Sequence, residues 1–357
     1  MFDFESILEG GPLTQSAITT VREQARLNNL DVDTFSVWQQ FFPPVSVNSI
    51  KINEMRVPDN RFVADRREFD ADGRKIPVRT PTRVDMEMIP ISTYFDYGER
   101  DLQLLGESRG ADIDRVIQEI GVEIPARVTA HVDAVMRRVE MDTHQVWQTG
   151  EIMVRNPDTG SASTVSFEFD AQRYVTDDFS GGNNAYDKLL NHIRIAQRRV
   201  QGGVAGALMT QAIRDKVLQD APTDINGNQI GLQGVQELIQ REVSQDFQLI
   251  VADYSTAEVF DGQNESGTTN RPYYTDGRLT FLPRGGQVGR MAGAPIIRAA
   301  QLNSVDTGGQ TQVDIRNVAV FYQVQESGKY MKVETQLNWL PVPFEEFVYV
   351  VDTGITS

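Results

Sequence analysis

The sequence predicts an α+β protein. Three observations point to it. Between residues 112 and 148, apolar side chains recur at steps of three and four, the period of a helix face. On both sides of that stretch lie short segments that alternate apolar and polar residues, the period of a strand. Between 185 and 244, shorter helical patterns are followed by further strand-like runs rather than repeating as regular strand–helix units. The chain has 357 residues, of which 40% are hydrophobic, enough for a sizeable core. At about 150 residues per domain, that length suggests roughly two domains, or one elaborate one.

The composition narrows the function classes. Fifty acidic residues against 34 basic ones give a net charge of −16, which argues against a protein whose main task is gripping phosphates. The chain has no cysteine, so disulfides, thiolate metal sites and cysteine nucleophiles are excluded. The opening "MFDFESILEGG" is acidic and has no continuous apolar run, so no signal peptide is expected. No apolar run approaches the roughly 20 residues needed to span a bilayer. These features lead us to expect a soluble protein made or assembled inside a cell, with no membrane partner.

Residues 1–50 read as an arm. "LTQSAITTVREQARLN" (13–28) suits a short helix with Thr14 as N-cap. "WQQFFPPV" (38–45) follows, where Pro43 and Pro44 forbid helix. The cluster Trp38, Phe41 and Phe42 needs an apolar partner. Either another copy supplies it, making these residues an inter-subunit contact, or they cap the chain's own core.

Residues 51–98 read as strands: "SIKINEMRV", "RFVADRREFD", "KIPVRT" and "TRVDMEMIPIS", with Val84, Met86 and Met88 on one face. Within them, "RFVADRREFDADGRKIPVRTPTR" (61–83) looks like a hairpin turning at "DADG", yet it is too charged to bury a core face. It carries seven basic and four acidic residues, a local +3 that leaves −19 for the rest of the chain. A positive arm on an acidic body suits a contact between identical copies. Arg66, Arg67, Arg74 and Lys75 are the candidates for that contact. The other reading is a solvated hairpin of mixed charge.

Ile113, Val116, Ile117, Ile120, Ile124, Val128, Val132, Val135 and Val139 predict one long helix over 112–148, with Asp112 at its start and Gly150 at its stop. At about 1.5 Å per residue it would run about 55 Å. Pro125 should bend it or mark a short break. The apolar steps do not sustain a heptad, which argues against a coiled coil. "EIMVRNPDTGSASTVSFEFD" then predicts a hairpin turning at Pro157, Asp158 and Gly160, with Ile152 and Val154 facing Val165, Phe167 and Phe169.

From 171 to 295, helices are predicted over 185–200, 207–219 and 232–244, and strands over 248–254 and 277–283. The polar stretch "DGQNESGTTNRPYYTDG" (261–277) reads as a long loop of the kind that is usually functional. Strands close the chain: "RNVAVFYQVQE", "YMKVETQLNWLPV" and "EFVYVVDT".

Motifs for chemistry are weak. His131 and His144 lie too far apart on one helix to share an ion, His192 stands alone, and there is no HExxH. "RGGQVGRMAG" (284–293) lacks the spacing and lysine of a phosphate loop. "DADG" (70–73) is similar to a calcium loop but lacks the third acidic position and the closing glutamate. No G-x-S-x-G elbow occurs, and pairs such as Glu345–Glu346 are expected by chance among 50 acids. No catalytic, cofactor or metal residue is assigned. Arg194 and Arg198 share a helix face in "IRIAQRRV", a candidate nucleic-acid contact that equally suits pairing with nearby acids.

The order of these pieces resembles the major capsid proteins of tailed bacteriophages, in particular the lambda-type capsid family. The helix running into "QTGEIMVRNPDTGSASTVSFEFD" resembles that family's helix, Thr-Gly and hairpin. "GVQELIQREVSQDFQLIVADYSTAEVF" followed by "TDGRLTFLPRGGQVGRMAGAP" is similar to its helix, strand, variable loop, Leu-Pro strand and Gly-rich stretch. "ETQLNWLPVPFEEFVYVVDT" is similar to its closing strand. "AYDKLLNHIRIAQRRVQGG" departs from the family, which has a shorter Trp-containing segment there.

The resemblance implies the Hong Kong ninety-seven-type capsid fold. Its parts would be an N-terminal arm (1–50), an extended β-hairpin loop (51–98), a peripheral domain with a long spine helix (99–170), an axial domain (171–295), and closing strands shared by both domains (296–357). It implies a structural protein, not an enzyme, that self-assembles into hexamers and pentamers of an icosahedral head shell. It places the protein in the virion, assembled in the host cytoplasm, with packaged double-stranded DNA contacted only weakly. With no long coiled-coil N-terminal extension, it implies a separate scaffolding protein, along with a portal, and leaves room for a cement or decoration protein. Asn270, Arg271, Tyr273 and Tyr274 become candidates for a loop at the hexamer or pentamer axis. An encapsulin-like compartment shell is the alternative within this fold, and an α+β enzyme the alternative outside it.

Overall fold

The structure, a computed structural model, describes residues 41–49, 51–56, 82–97, 113–155, 162–167, 169–182, 184–223, 227–243, 245–252, 256–260, 268–294, 296, 311–315, 318–324 and 331–355. The predicted helix over 13–28 and the charged stretch 61–81 lie outside them.

Strands β1 (Pro44–Ser46), β2 (Lys51–Arg56), β3 (Thr82–Glu87) and β4 (Ile91–Tyr97) lead into helix α1 (Ile113–Thr149), of 37 residues. The hairpin β5 (Glu151–Arg155) and β6 (Ala162–Ser166) follows, then β7 (Tyr174–Thr176), α2 (Ala185–Arg199), β8 (Val204–Met209), α3 (Gln211–Asp220) and α4 (Leu232–Glu242). Next come β9 (Gln248–Val251), β10 (Thr256–Phe260), β11 (Thr268–Pro272), β12 (Arg278–Pro283) and β13 (Gly289–Gly293). The chain closes with β14 (Thr311–Ile315), β15 (Val318–Val324), β16 (Met331–Leu337), β17 (Trp339–Pro343) and β18 (Val350–Asp352).

The organising element is a five-stranded mixed sheet in the order β7-β18-β12-β8-β9. Side chains alternate across a strand, so its two faces serve two cores. In β12, Phe281 belongs to one core and Leu282 to the other; in β18, Val351 and Val350 divide the same way. The first core gathers α1, the β5–β6 hairpin, the three-stranded sheet β1-β13-β17 and part of the four-stranded sheet β14-β15-β16-β4. The second core gathers α2, α3 and α4 on the opposite face.

Helix α1 forms where the three- and four-residue stripe predicts it, and Val128, Val132, Val135, Val139 and Val146 are buried along it. It continues through Pro125 without a break. It ends at Gly150, whose φ of 72° is the left-handed conformation of a helix stop and whose N–H closes on the Val146 carbonyl at 2.8 Å. A Cβ there would press on the Tyr174 ring at 3.1 Å, so glycine is required twice over.

Four expectations need correction. The helix predicted over 207–219 is a strand, a one-residue joint at Thr210 and then a helix, because the apolar run 204–209 is the filling of a central strand flanked by β12 and β9. A short apolar run of this kind has no period that distinguishes helix from strand. "TRVDMEMIPIS" is divided between β3 and β4 around Pro90, which cannot donate to a ladder. The long loop over 261–277 contains β11, which pairs with β10 as a ribbon, Phe260 opposite Thr268. In "EFVYVVDT" only Val350–Asp352 is strand, and Glu345–Phe347 is a single 3-10 turn.

Candidate interaction elements

The histidines are the first place to look for chemistry, and each is engaged in packing. His192 is buried, with Nε2 2.9 Å from Asp177 Oδ2 and Nδ1 2.9 Å from the Tyr349 hydroxyl. Burial raises the Asp177 carboxyl, but hydrogen bonds from Lys188 and His192 outweigh it and hold the group below the usual carboxylate range. A Tyr–His–Asp chain can move protons in an open site. Here Tyr349 is fully buried, so the chain fastens α2 to the closing segment instead. His131 bonds the Thr93 hydroxyl and packs on Phe95, 4.8 Å between ring centroids; burial lowers its basicity, helped by Arg127. Among the described residues no cluster of His, Asp and Glu could hold a metal ion, and no helix is long and apolar enough to cross a membrane.

The aromatic pair of the arm packs on its own chain. Phe42 is fully buried, edge-on to Trp147 with centroids 6.5 Å apart, in the space that Gly289 leaves open beside it. Phe41 is half-buried and tilts against the same indole at 5.1 Å. Main-chain bonds from Val288 to the Phe41 carbonyl and from Met291 to that of Pro43 seal the segment along β13. The inter-subunit expectation is therefore corrected for Phe42, which has no surface left to offer a neighbour, and Phe41 shares its anchor on Trp147. Trp38 lies outside the described residues.

Two ribbons stand out from this packed body. The first pairs β2 with β3, Lys51 opposite Glu87 and Arg56 opposite Thr82, in a two-stranded sheet of its own. Its base is anchored, because Ile52 and Met88 are buried in the first core. Beyond Arg56 the chain runs into the charged stretch with Arg66, Arg67, Arg74 and Lys75, all outside the described residues. The second ribbon pairs β10 with β11 and carries Asn270 opposite Glu258 and Arg271 opposite Ala257. A two-stranded sheet alone is marginal in water and leaves both edges able to pair with another chain.

Tyr273 and Tyr274 sit at the stem of the second ribbon, between β11 and β12. Tyr274 is buried, and its hydroxyl lies 2.9 Å from the Leu208 carbonyl, 3.1 Å from that of Arg278 and 2.8 Å from Thr280 Oγ1. Burial pushes its phenol well above the ordinary range. Its ring stands perpendicular to that of His144, while Tyr273 tilts against the same imidazole at 6.0 Å. The amide of Gln148, itself fully buried, donates to the Tyr273 carbonyl at 3.4 Å and accepts from the Thr275 N–H at 2.7 Å.

The same end of α1 holds a buried acid. Asp142 lies 2.8 Å from Arg138 Nη2, which also donates to the Met153 carbonyl of β5 at 2.6 Å. Burial pushes the Asp142 carboxyl up to about 6, against the pull of Arg138. Sequence reasoning missed both Asp142 and Gln148, although the signal for Asp142 was present: it falls three residues after Val139, where the stripe calls for an apolar side chain. Arg194, on the face considered for nucleic acid, lies 3.8 Å from Glu242 of α4.

Neither a family model nor a curated protein matches the sequence. Among solved structures, the chain is similar to the candidate capsid protein of a prophage of E. coli CFT073, with a TM-score of 0.52 and 11% identity over 93% of this chain and 98% of that one. A phage-related protein from Bordetella bronchiseptica RB50 matches at a TM-score of 0.45 and 11% identity, over 95% of this chain and 97% of that one. The cyanophage A-1(L) capsid matches at 0.45 and 12% identity, over 90% and 94%. The chain has the mixed α+β fold of the Hong Kong ninety-seven-type capsid structures.

Proposed function

We propose that this chain is the major shell protein of a tailed-phage head. Copies of it assemble into hexamers and pentamers of an icosahedral capsid that encloses the genome. The observation that carries this reading is the shared fold with the E. coli prophage protein along nearly the full length of both chains. The molecule's own features support it. Its buried polar groups fasten elements together, and among the described residues its two ribbons pair only within themselves. The net charge of −16 suits a shell that contains DNA without gripping it.

On this reading α1 is the spine helix of a peripheral domain, and the second core belongs to an axial domain. The β2–β3 ribbon is the root of an extended loop that reaches a neighbouring copy. Arg66, Arg67, Arg74 and Lys75 seat that loop on an acidic surface, while Asn270 and Arg271 bring the second ribbon toward the symmetry axis. A scaffolding protein and a portal would be the other partners, with room left for a cement or decoration protein. Each charged contact contributes only about 0–1 kcal/mol, so a closed shell must multiply them.

Negative-stain electron microscopy of the purified protein and of particles from producing cells tests the assignment. Large icosahedral shells containing DNA are expected. Smaller shells filled with protein would indicate a compartment of the encapsulin kind, and discrete small oligomers would favour an enzyme. Changing Arg66, Arg67, Arg74 and Lys75 together to Glu should leave folded, soluble subunits that form no shells. Normal shells from that variant would remove the loop contact while leaving the capsid assignment standing.

A further inference from the structure

The β10–β11 ribbon joins the body through residues 273–277, and that stem is fixed from two sides. From the sheet side, the Tyr274 hydroxyl engages Leu208, Arg278 and Thr280, while the Thr353 N–H and hydroxyl both donate to the Gly277 carbonyl at 2.8 Å. From the helix side, a single side chain does the work of a strand partner. Gln148 takes the Thr275 N–H on its amide oxygen and gives its amide N–H to the Tyr273 carbonyl. Only this orientation of the amide satisfies both groups, since a flip would set donor against donor and acceptor against acceptor. Gln148 lies in the last turn of α1, one turn beyond His144, whose ring packs against Tyr273 and Tyr274. The helix end is itself tied to the sheet by the Tyr174 hydroxyl, 3.3 Å from the carbonyls of Val146 and Trp147.

We infer that Gln148 is a positioning residue that couples the β10–β11 ribbon to the end of α1, so that the ribbon's direction follows the helix. On the sheet side the stem is held at the Tyr274 side chain, at the Gly277 carbonyl and at the Thr275 carbonyl, which accepts from the Arg278 N–H at 3.4 Å. The bidentate amide ties this stem to the helix end as well, by fixing one N–H and one C=O of the same short segment. A ribbon of two strands amplifies any tilt at its base, because its far end lies several residues away at about 3.4 Å per residue.

The native chain has no cysteine, so introduced pairs can be spin-labelled cleanly. One pair, Thr269→Cys on β11 with Ala134→Cys on α1, reports the ribbon against the helix. A second, Ala134→Cys with Gln233→Cys on α4, reports the body alone. In Gln148→Leu, the ribbon–helix distance distribution should shift and broaden, the body distribution should stay as in the parent, and the Thr275 amide should lose protection from hydrogen exchange. Gln148→Glu gives a sharper readout and keeps the side-chain size. At alkaline pH its carboxylate cannot donate to Tyr273 and the ribbon distribution broadens; at acidic pH the protonated carboxyl restores the donor and the distribution narrows. The parent should be narrow at both. A ribbon distribution that Gln148→Glu leaves unchanged at alkaline pH overturns the inference. So does equal broadening of both pairs, which would mean general loosening.

Discussion

The two cores are built on the two faces of one sheet, yet they draw on the chain in opposite ways. The second core uses the stretch from 175 to 281 and closes with residues 347–355. The first collects Phe42, Ile52, Met88, the far half of α1, Phe167, the β13 strand and Val333–Val350 from along the whole sequence. One is a local unit with a short closing strap, the other a convergence of distant segments. Strands β12 and β18 contribute to both, Phe281 and Val351 on one side, Leu282 and Val350 on the other. Loss of either core therefore removes the packing from one face of the strands that support the other.

The largest effects should come from testing whether that sharing makes the cores one cooperative unit. Trp147→Ala in the first core and Phe281→Ala in the second each remove a fully buried aromatic ring and should cost about 3–5 kcal/mol. Urea unfolding of unassembled subunits, followed by both tryptophan fluorescence and far-UV circular dichroism, should show one transition in each variant, shifted in both probes together. Two separated transitions would mean that the cores unfold independently. Phe42→Ala belongs to the same test: it should destabilise the subunit itself, as a core residue does. A variant that unfolds like the parent but fails only in assembly would return the arm to an inter-subunit role.

The contrast between the cores is also the contrast between what the sequence discloses and what it hides. Helix α1, the β5–β6 hairpin, α2 and α4 were legible, because each carries a full local period and, for α1, a glycine stop. The strand β8 was not, because a run of six residues, all apolar or glycine and packed on both faces, carries no period at all. Phe42 could not be assigned, since its partners Trp147 and Gly289 lie more than a hundred residues away in the chain. Gln148 was equally hidden: a glutamine in a last helical turn looks like surface until the backbone of 273–275 arrives beside it. Local elements follow from local patterns, whereas the non-local first core and the ribbon stem depend on which segments meet.

A smaller effect sharpens the comparison through pH, because the first core contains titrating groups of opposite sign. Asp142 has a folded-state value near 6 against an ordinary 3.8, so the folded chain binds that proton more readily than the unfolded one. Its contribution to stability is complete below about 4 and is lost as pH rises through about 6. His131 is lowered by burial and by Arg127, so its contribution is present above 6.5 and is lost as pH falls through its lower folded value. Asp142→Asn should flatten the decline between about pH 4 and 6 and leave the acid-side loss from His131 in place, measured as urea midpoints across that range. An unchanged profile would mean that Asp142 does not titrate in that window.

The smallest effect lies at the joint between the regions, where Gly150 ends α1 against Tyr174 of β7. Gly150→Ala places a side chain at φ 72° and presses its Cβ on the Tyr174 ring. The backbone strain alone should cost about 1–2 kcal/mol. Tyr174→Phe provides the comparison, since it removes the hydroxyl and its two contacts of 3.3 Å and should cost about 1 kcal/mol. If the glycine is required by its conformation, the alanine variant is the less stable of the two, and combining the changes recovers little, because the strain does not depend on the hydroxyl. If the glycine is required only by the close approach of the ring, Gly150→Ala should instead be largely rescued by Tyr174→Ala, which clears the space and leaves φ as it is. Thermal unfolding of the three variants and the rescue pair separates the two causes. It also shows whether the helix and the sheet are joined by a backbone turn or by a packed ring.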